Sequence, residues 1–136
     1  MRRALVSVLV PALLLACPAS AGSGAGAPLA AFKDHNPVVL IFAPSPEDGR
    51  LLRQAGEMAR LEAKPFYQSV IVATVSGTIV MGVTDTAAAL RARFRAPPNA
   101  FRIILISRGG AVAMDQAQVA AEPALEQAVN RSARPR

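Results

Sequence analysis

The chain has 136 residues, 52% of them hydrophobic, with 15 basic and 9 acidic side chains, one cysteine, one histidine, one tyrosine and no tryptophan. That length suits a single small domain, and one cysteine excludes both an internal disulfide and any two-cysteine redox site. The excess of base is almost all arginine, but so few large aromatic rings give no stacking platform for single-stranded nucleic acid, and no nucleic-acid partner is expected.

Arg2 and Arg3 precede the apolar run ALVSVLVPALLLA, and CPASA follows. A charged start, a short apolar centre and a small-x-small ending predict a signal peptide over residues 1–21. The run is too short to cross a membrane and Pro11 interrupts it, so no membrane span is expected. Ala19 and Ala21 are the small residues that a signal peptidase needs, which would leave Gly22 first. A competing motif is LLAC, whose Cys17 would be acylated as in a bacterial lipoprotein, although Leu15 is bulkier than such a site prefers. The fit favours a freely secreted or periplasmic protein, with a lipid-anchored envelope protein as the alternative.

Residues 22–36 begin GSGAGAPLA and read as a flexible tether. A domain is expected over 37–130, followed by a basic tail at 131–136. The domain opens with VVLIFA, an almost unbroken β-branched and aromatic run typical of a strand covered on both faces. At the corner that follows, Ser45 is expected as N-cap, Pro46 at the first helical position, and Asp48 completes a capping box. Leu51, Leu52, Ala55, Met58 and Ala59 form the expected buried stripe of this helix, which should end near Ala63 ahead of Pro65.

A second buried strand is predicted over 69–75. Ser76 and Gly77 break it, and TIVMGV either continues it or forms a short extra strand. DTAAALRARF predicts a second helix capped by Thr84 or Asp85, with Leu90 and Phe94 as an i, i+4 pair. FRIILIS is a third strand, RGG a tight hairpin turn, and AVAMDQ the returning strand. EPALEQAVNRSA predicts a last helix with Leu125, Ala128 and Val129 on its apolar side. The fold class is therefore α/β, a single domain in the order β-α-β-α-β-β-α. Two crossovers and a hairpin imply a mixed sheet with helices on both faces, the minimal thioredoxin-like order.

VVLIFAPSPEDGRLLRQ and LRARFRAPPNAFRIILISRGGAV together resemble the bacterial family called domain of unknown function 4174. The first segment is similar to the family's strand, its apolar-Pro-Ser corner and its Arg-Gln helix. The second is similar to its L-x-x-x-F helix and a strand ending in a basic, glycine-bearing turn. The resemblance implies a thioredoxin-like fold. The tail NRSARPR lacks the Met-Pro-Met-Arg-like ending common among members.

Thioredoxin-like enzymes place Cys-x-x-Cys where the first strand meets its helix, so that the helix N-terminus stabilises a thiolate. Laid on FAPSPEDGR, that pattern puts Pro46 and Gly49 at the two cysteine positions, which rules out disulfide exchange there. His35, the only histidine, reads as a solvated lead-in residue, and no metal site is expected. Glu47 and Asp48 are adjacent and would point about 100° apart on a helix, so capping explains them more simply than paired acid-base catalysis. No cofactor is expected. The remaining candidate is a small-ligand or anion corner made of Ser45, Asp48, Arg53 and Arg102, at a helix N-terminus beyond the carboxyl end of a strand. The expected function is a non-catalytic binding module whose partner is an envelope protein or small ligand, with an oxidoreductase-related accessory factor as the alternative.

Overall fold

The computed structural model describes residues 26–133. Cys17, Ala19 and Ala21 lie outside the described residues, as do 134–136 of the expected tail. Among the described residues the architecture is mixed α/β, with a five-stranded sheet and three α-helices.

The run VVLIFA forms β1, Val38–Ala43, and every one of its six residues is buried. It lies at the centre of the sheet. β2, Ile71–Ser76, pairs parallel to it from Val38↔Ile71 to Ala43↔Ser76. The connection between them carries α1, Gly49–Leu61, because a parallel pair needs a long crossover. β3, Ile79–Met81, turns back on β2 as an antiparallel edge strand, so TIVMGV supplies the short extra strand. α2, Ala87–Phe94, then leads to β4, Arg102–Ile106, antiparallel to β1, and a hairpin adds β5, Val112–Gln116. α3, Glu122–Ala133, is the last element of the described residues and runs through the start of the expected tail. The strand order is β3-β2-β1-β4-β5.

Alternation along β1 divides the core in two. Val39, Ile41 and Ala43 pack with Met58 and Leu61 of α1 and Leu125, Ala128 and Val129 of α3. Val38, Leu40 and Phe42 face the other way, toward Leu90 of α2, Val83 and Leu29.

Several expectations change at the helices. The buried side of α1 is not the Leu52, Ala55, Ala59 stripe. Leu52 is 61% exposed, while Gln54, Met58 and Leu61 are buried and Leu51 packs against them. The phase is set by Gln54, a polar residue that a hydrophobic pattern reads as outward. Its Nε2–H donates to the Ala120 carbonyl at 3.0 Å, and its Oε1 accepts the Ala120 N–H at 2.7 Å. A neighbouring contact extends this clasp, since Glu57 Oε2 accepts the Glu122 N–H at 2.8 Å and caps α3 from outside. Lys64 Nζ lies 3.7 Å from Glu122 and 3.4 Å from Glu126 on the same helix.

The cap of α2 is Thr86 rather than Thr84 or Asp85, its hydroxyl accepting the Ala89 N–H at 3.2 Å. Asp85 is used elsewhere, accepting the Leu29 N–H at 2.6 Å. That bond belongs to a second correction. Within the expected tether, residues 27–36 are fastened to the domain. Leu29 is buried in a short 3-10 turn, Leu29–Phe32, the Thr84 N–H donates to the Ala27 carbonyl at 3.1 Å, and the Asp34 N–H donates to the Arg108 carbonyl at 2.6 Å. The apolar Leu29 and Phe32 inside that segment drive the docking, and small-residue composition alone hides them.

Gly82 allows the chain to leave β3. It holds φ of +90°, and a Cβ there would sit 2.3 Å from the Val72 carbonyl oxygen.

Denaturant unfolding checks these assignments. Gln54→Leu should lose about 2–4 kcal/mol, because it leaves both Ala120 backbone groups buried and unpaired. Ile104→Asp should lose about 3 kcal/mol or more by burying a lone charge, while exposed Leu52→Asp should stay within about 0.5 kcal/mol of the parent.

Candidate functional site

β1 and β2 end together at Ala43 and Ser76, and β4 begins beside them with Arg102 opposite Phe42. Three connections meet at this carboxyl edge: the corner leading to α1, the turn at Gly77, and the loop from α2 to β4. It is the place where strand-to-helix folds present ligand sites.

The corner is built from a turn and then a cap. Asp48 N–H donates to the Ser45 carbonyl at 3.2 Å, so Ser45 to Asp48 close a turn with Pro46 in its second position, which its fixed φ suits. This takes Ser45 out of the expected capping role and puts Asp48 in it. Asp48 Oδ1 accepts the backbone N–H of Arg50 at 2.9 Å and of Leu51 at 3.3 Å. The Arg50 guanidinium pairs with the same carboxylate, Nε to Oδ1 at 3.2 Å and Nη2 to Oδ2 at 3.1 Å. The bond from the Arg50 side chain, joined by the two backbone bonds and opposed by partial burial, holds the Asp48 carboxyl below its usual pKa. Reciprocally, the Asp48 carboxylate raises the pKa of Arg50. The donors that would stabilise a thiolate or an anion are thus occupied by the protein's own side chain.

Of the four expected site residues, only Ser45 and Asp48 share the corner. Arg53 is exposed on α1, one turn further along. Arg102 points to the α2 side of the sheet, as does its partner Phe42, whereas α1 covers the other side. There it pairs with Asp115, Nε to Oδ1 at 3.0 Å with a second close contact from Nη2 to Oδ2. Its Nη1 donates to the carbonyls of Phe94 at 2.6 Å and Arg95 at 3.1 Å. Arg102 therefore closes the end of α2 rather than the corner of α1.

Two residues missed in the sequence organise this edge. Arg91 reaches from α2, its Nη2 donating to the carbonyls of Ala43 at 3.0 Å and Gly77 at 3.3 Å and its Nη1 to Pro97 at 3.1 Å. It joins all three connections, and burial lowers its pKa from the usual guanidinium value. Arg50 is the other, with its guanidinium 5.7 Å from the ring centre of buried Phe101. The only sequence signals were an arginine two places after a capping Asp and one beside Leu90 in a helix of eight residues.

Arginine and phenylalanine also alternate across the α2 side. Arg91 lies 5.7 Å over Phe42, Phe42 and Phe94 are tilted with centres 6.1 Å apart, and Arg93 lies 5.3 Å over Phe94. Arg95 follows in the left-handed conformation, φ 52°, at the end of the helix. The result is an edge rich in guanidinium groups. Among the described residues, no group of three His, Cys, Asp or Glu side chains is placed to hold a metal ion, and no helix is long and apolar enough to cross a membrane.

The Asp48 carboxylate should contribute stability above the unfolded Asp pKa, about 3.9, and lose it as pH falls through the lower folded value. Asp48→Ala should therefore melt below the parent by a constant interval above about pH 5, and the interval should narrow on acidification. An interval unchanged down to about pH 2 would remove the charge from this account.

No family model matches the chain, and no curated protein matches it in sequence. Among solved structures it is similar to one described as "Structure of a malarial protein", at 15% identity and a TM-score of 0.55, covering 73% of this chain and 99% of that one. At that identity the likeness shows a shared fold alone.

Proposed function

We propose that the protein is an exported, thioredoxin-like module that binds a partner protein or small ligand and performs no thiol chemistry of its own. One observation carries the reading: the amide donors at the start of α1, which in a thioredoxin-like enzyme would lower a thiol pKa, are capped by Asp48, and no cysteine follows position 17. Within the sheet, β2-β1-β4-β5 with one parallel and two antiparallel pairs, α1 and α3 on one face and α2 on the other, supports the thioredoxin-like part. β3 is then an addition between β2 and α2. The resemblance to domain of unknown function 4174 implies the same assignment. The pattern over residues 1–21 supports export. A second reading, a lipid-anchored envelope protein, rests on LLAC and Cys17.

The purified protein is expected to give no dithiothreitol-dependent insulin reduction above buffer, and turnover would overturn the non-catalytic reading. Intact-mass analysis of protein recovered from an exporting bacterial host should find Gly22 as the first residue. A diacylated Cys17 would replace free export with the anchored alternative.

A further inference from the structure

The sulfur atoms of the described residues all belong to methionines: Met58, Met81 and Met114. The fold treats the three differently. Met58 of α1 is 5% exposed within the core, and Met114 of β5 is half-buried against the same cluster. Met81 of β3 is 65% exposed. Its place in the sheet explains the difference. β3 is an edge strand flanked only by β2, and the residue opposite Met81 is Thr74, whose side chain is short. Alternation puts Met81 on the same face as Ile79, which is also exposed. The helices on that face, α1 and α3, pack on β1, β4 and β5, and Met81 stays open to solvent. A thioether is oxidised at a lone pair of its sulfur, so its reactivity follows the access of the oxidant.

We propose that Met81 is a reversible oxidation site, which takes an oxygen atom from a peroxide while the domain stays folded. The sulfur lone pair attacks one peroxide oxygen, and the S–O bond forms as the O–O bond breaks. The other oxygen leaves as water after proton transfer, so the sulfur is oxidised and the peroxide reduced by the same electron pair. The product is a polar sulfoxide beside Ile79, and the exposed strip of β3 loses apolar character. The same change at Met58 would put a polar S–O group into the core, where burial without a hydrogen bond is costly. Met81 carries no such cost, because its sulfoxide is left in water. A methionine sulfoxide reductase returns the thioether at the expense of a thiol reductant, so the polarity of this strip can be set in both directions. The inference is independent of the binding-module reading, since it concerns chemistry that the protein undergoes rather than performs.

Treatment of the purified protein with hydrogen peroxide, followed by peptide mapping in a mass spectrometer, tests this. Met81 should gain an oxygen several-fold faster than Met114, and Met58 should react last. In guanidinium chloride the three should react at similar rates, because the fold sets the order. Protein oxidised at Met81 should melt with the parent and elute earlier from a hydrophobic-interaction column. Methionine sulfoxide reductases for both epimers, supplied with dithiothreitol, should restore the parent retention. Met81→Leu conserves volume and apolar character, and should abolish both the early oxidation and the shift in retention. Met114→Leu should leave both in place. Oxidation of Met58 or Met114 as fast as Met81 in the folded protein would overturn the proposal. So would a ranking that persists in denaturant, a melting temperature that falls as Met81 is oxidised, or a retention that does not move. None of these results touches the non-catalytic reading, which fails separately if insulin is turned over.

Discussion

A strand that is apolar on both faces can be buried only in a sheet covered twice, and β1 imposes that condition on everything around it. Its six buried residues require α1 and α3 on one side and α2, with the docked N-terminal segment, on the other. Covering a sheet twice with so short a chain leaves few elements to spare, so each helix must be held where it is needed. The Gln54 clasp does this for α1 and α3, tying a side chain of one helix to both backbone groups of the residue two places before the other. Buried and fully paired, it specifies one relative position of the helices in a way that sliding apolar contacts do not.

The same economy governs the helix ends. Unpaired amide and carbonyl groups at a helix terminus need partners, and here two termini draw them from neighbouring elements. Glu57 of α1 caps α3, and Arg102 of β4 serves the carbonyls at the end of α2. Arg91 carries this further by joining strand end, turn and loop. The carboxyl edge is consequently cross-linked by hydrogen bonds, and Asp48 occupies the amide donors on its α1 side.

Strands were readable because β-branched runs such as VVLIFA and RIILI have no comparable helical use, and the RGG turn marks its hairpin plainly. The helices were harder to phase. Leu52, Ala55 and Ala59 make a plausible apolar stripe, and only knowledge that Gln54 has a partner 66 residues away would reject it. The corner misled for a related reason: Pro46 suits both the first turn of a helix and the second place of a β-turn, and the Asp48 carboxylate decides between them. Thr86 won the α2 cap because Asp85 was claimed by Leu29, a distant backbone group. Of the candidate site, Asp48 was identified with its capping role nearly right, while Arg102 was placed at the right edge but on the wrong side of the sheet. Arg91 could not be found at all, because three carbonyl acceptors leave no mark in a sequence.

β3 has a consequence for how the protein behaves in concentrated solution. Residues 69–84 contain no Lys, Arg, Asp or Glu, and Ile79 and Met81 on the edge strand are 51% and 65% exposed. Natural sheets protect such edges with charge, proline or brevity, and only brevity is used here, since β3 is three residues long and Gly82 turns the chain away. Resistance to edge-to-edge aggregation is thereby concentrated in one glycine. A side chain at position 82 would collide with Val72 and force β3 off its partner, exposing an uncharged β-prone segment of the kind that stacks between molecules. The defect would show first as turbidity on concentration, a colloidal failure.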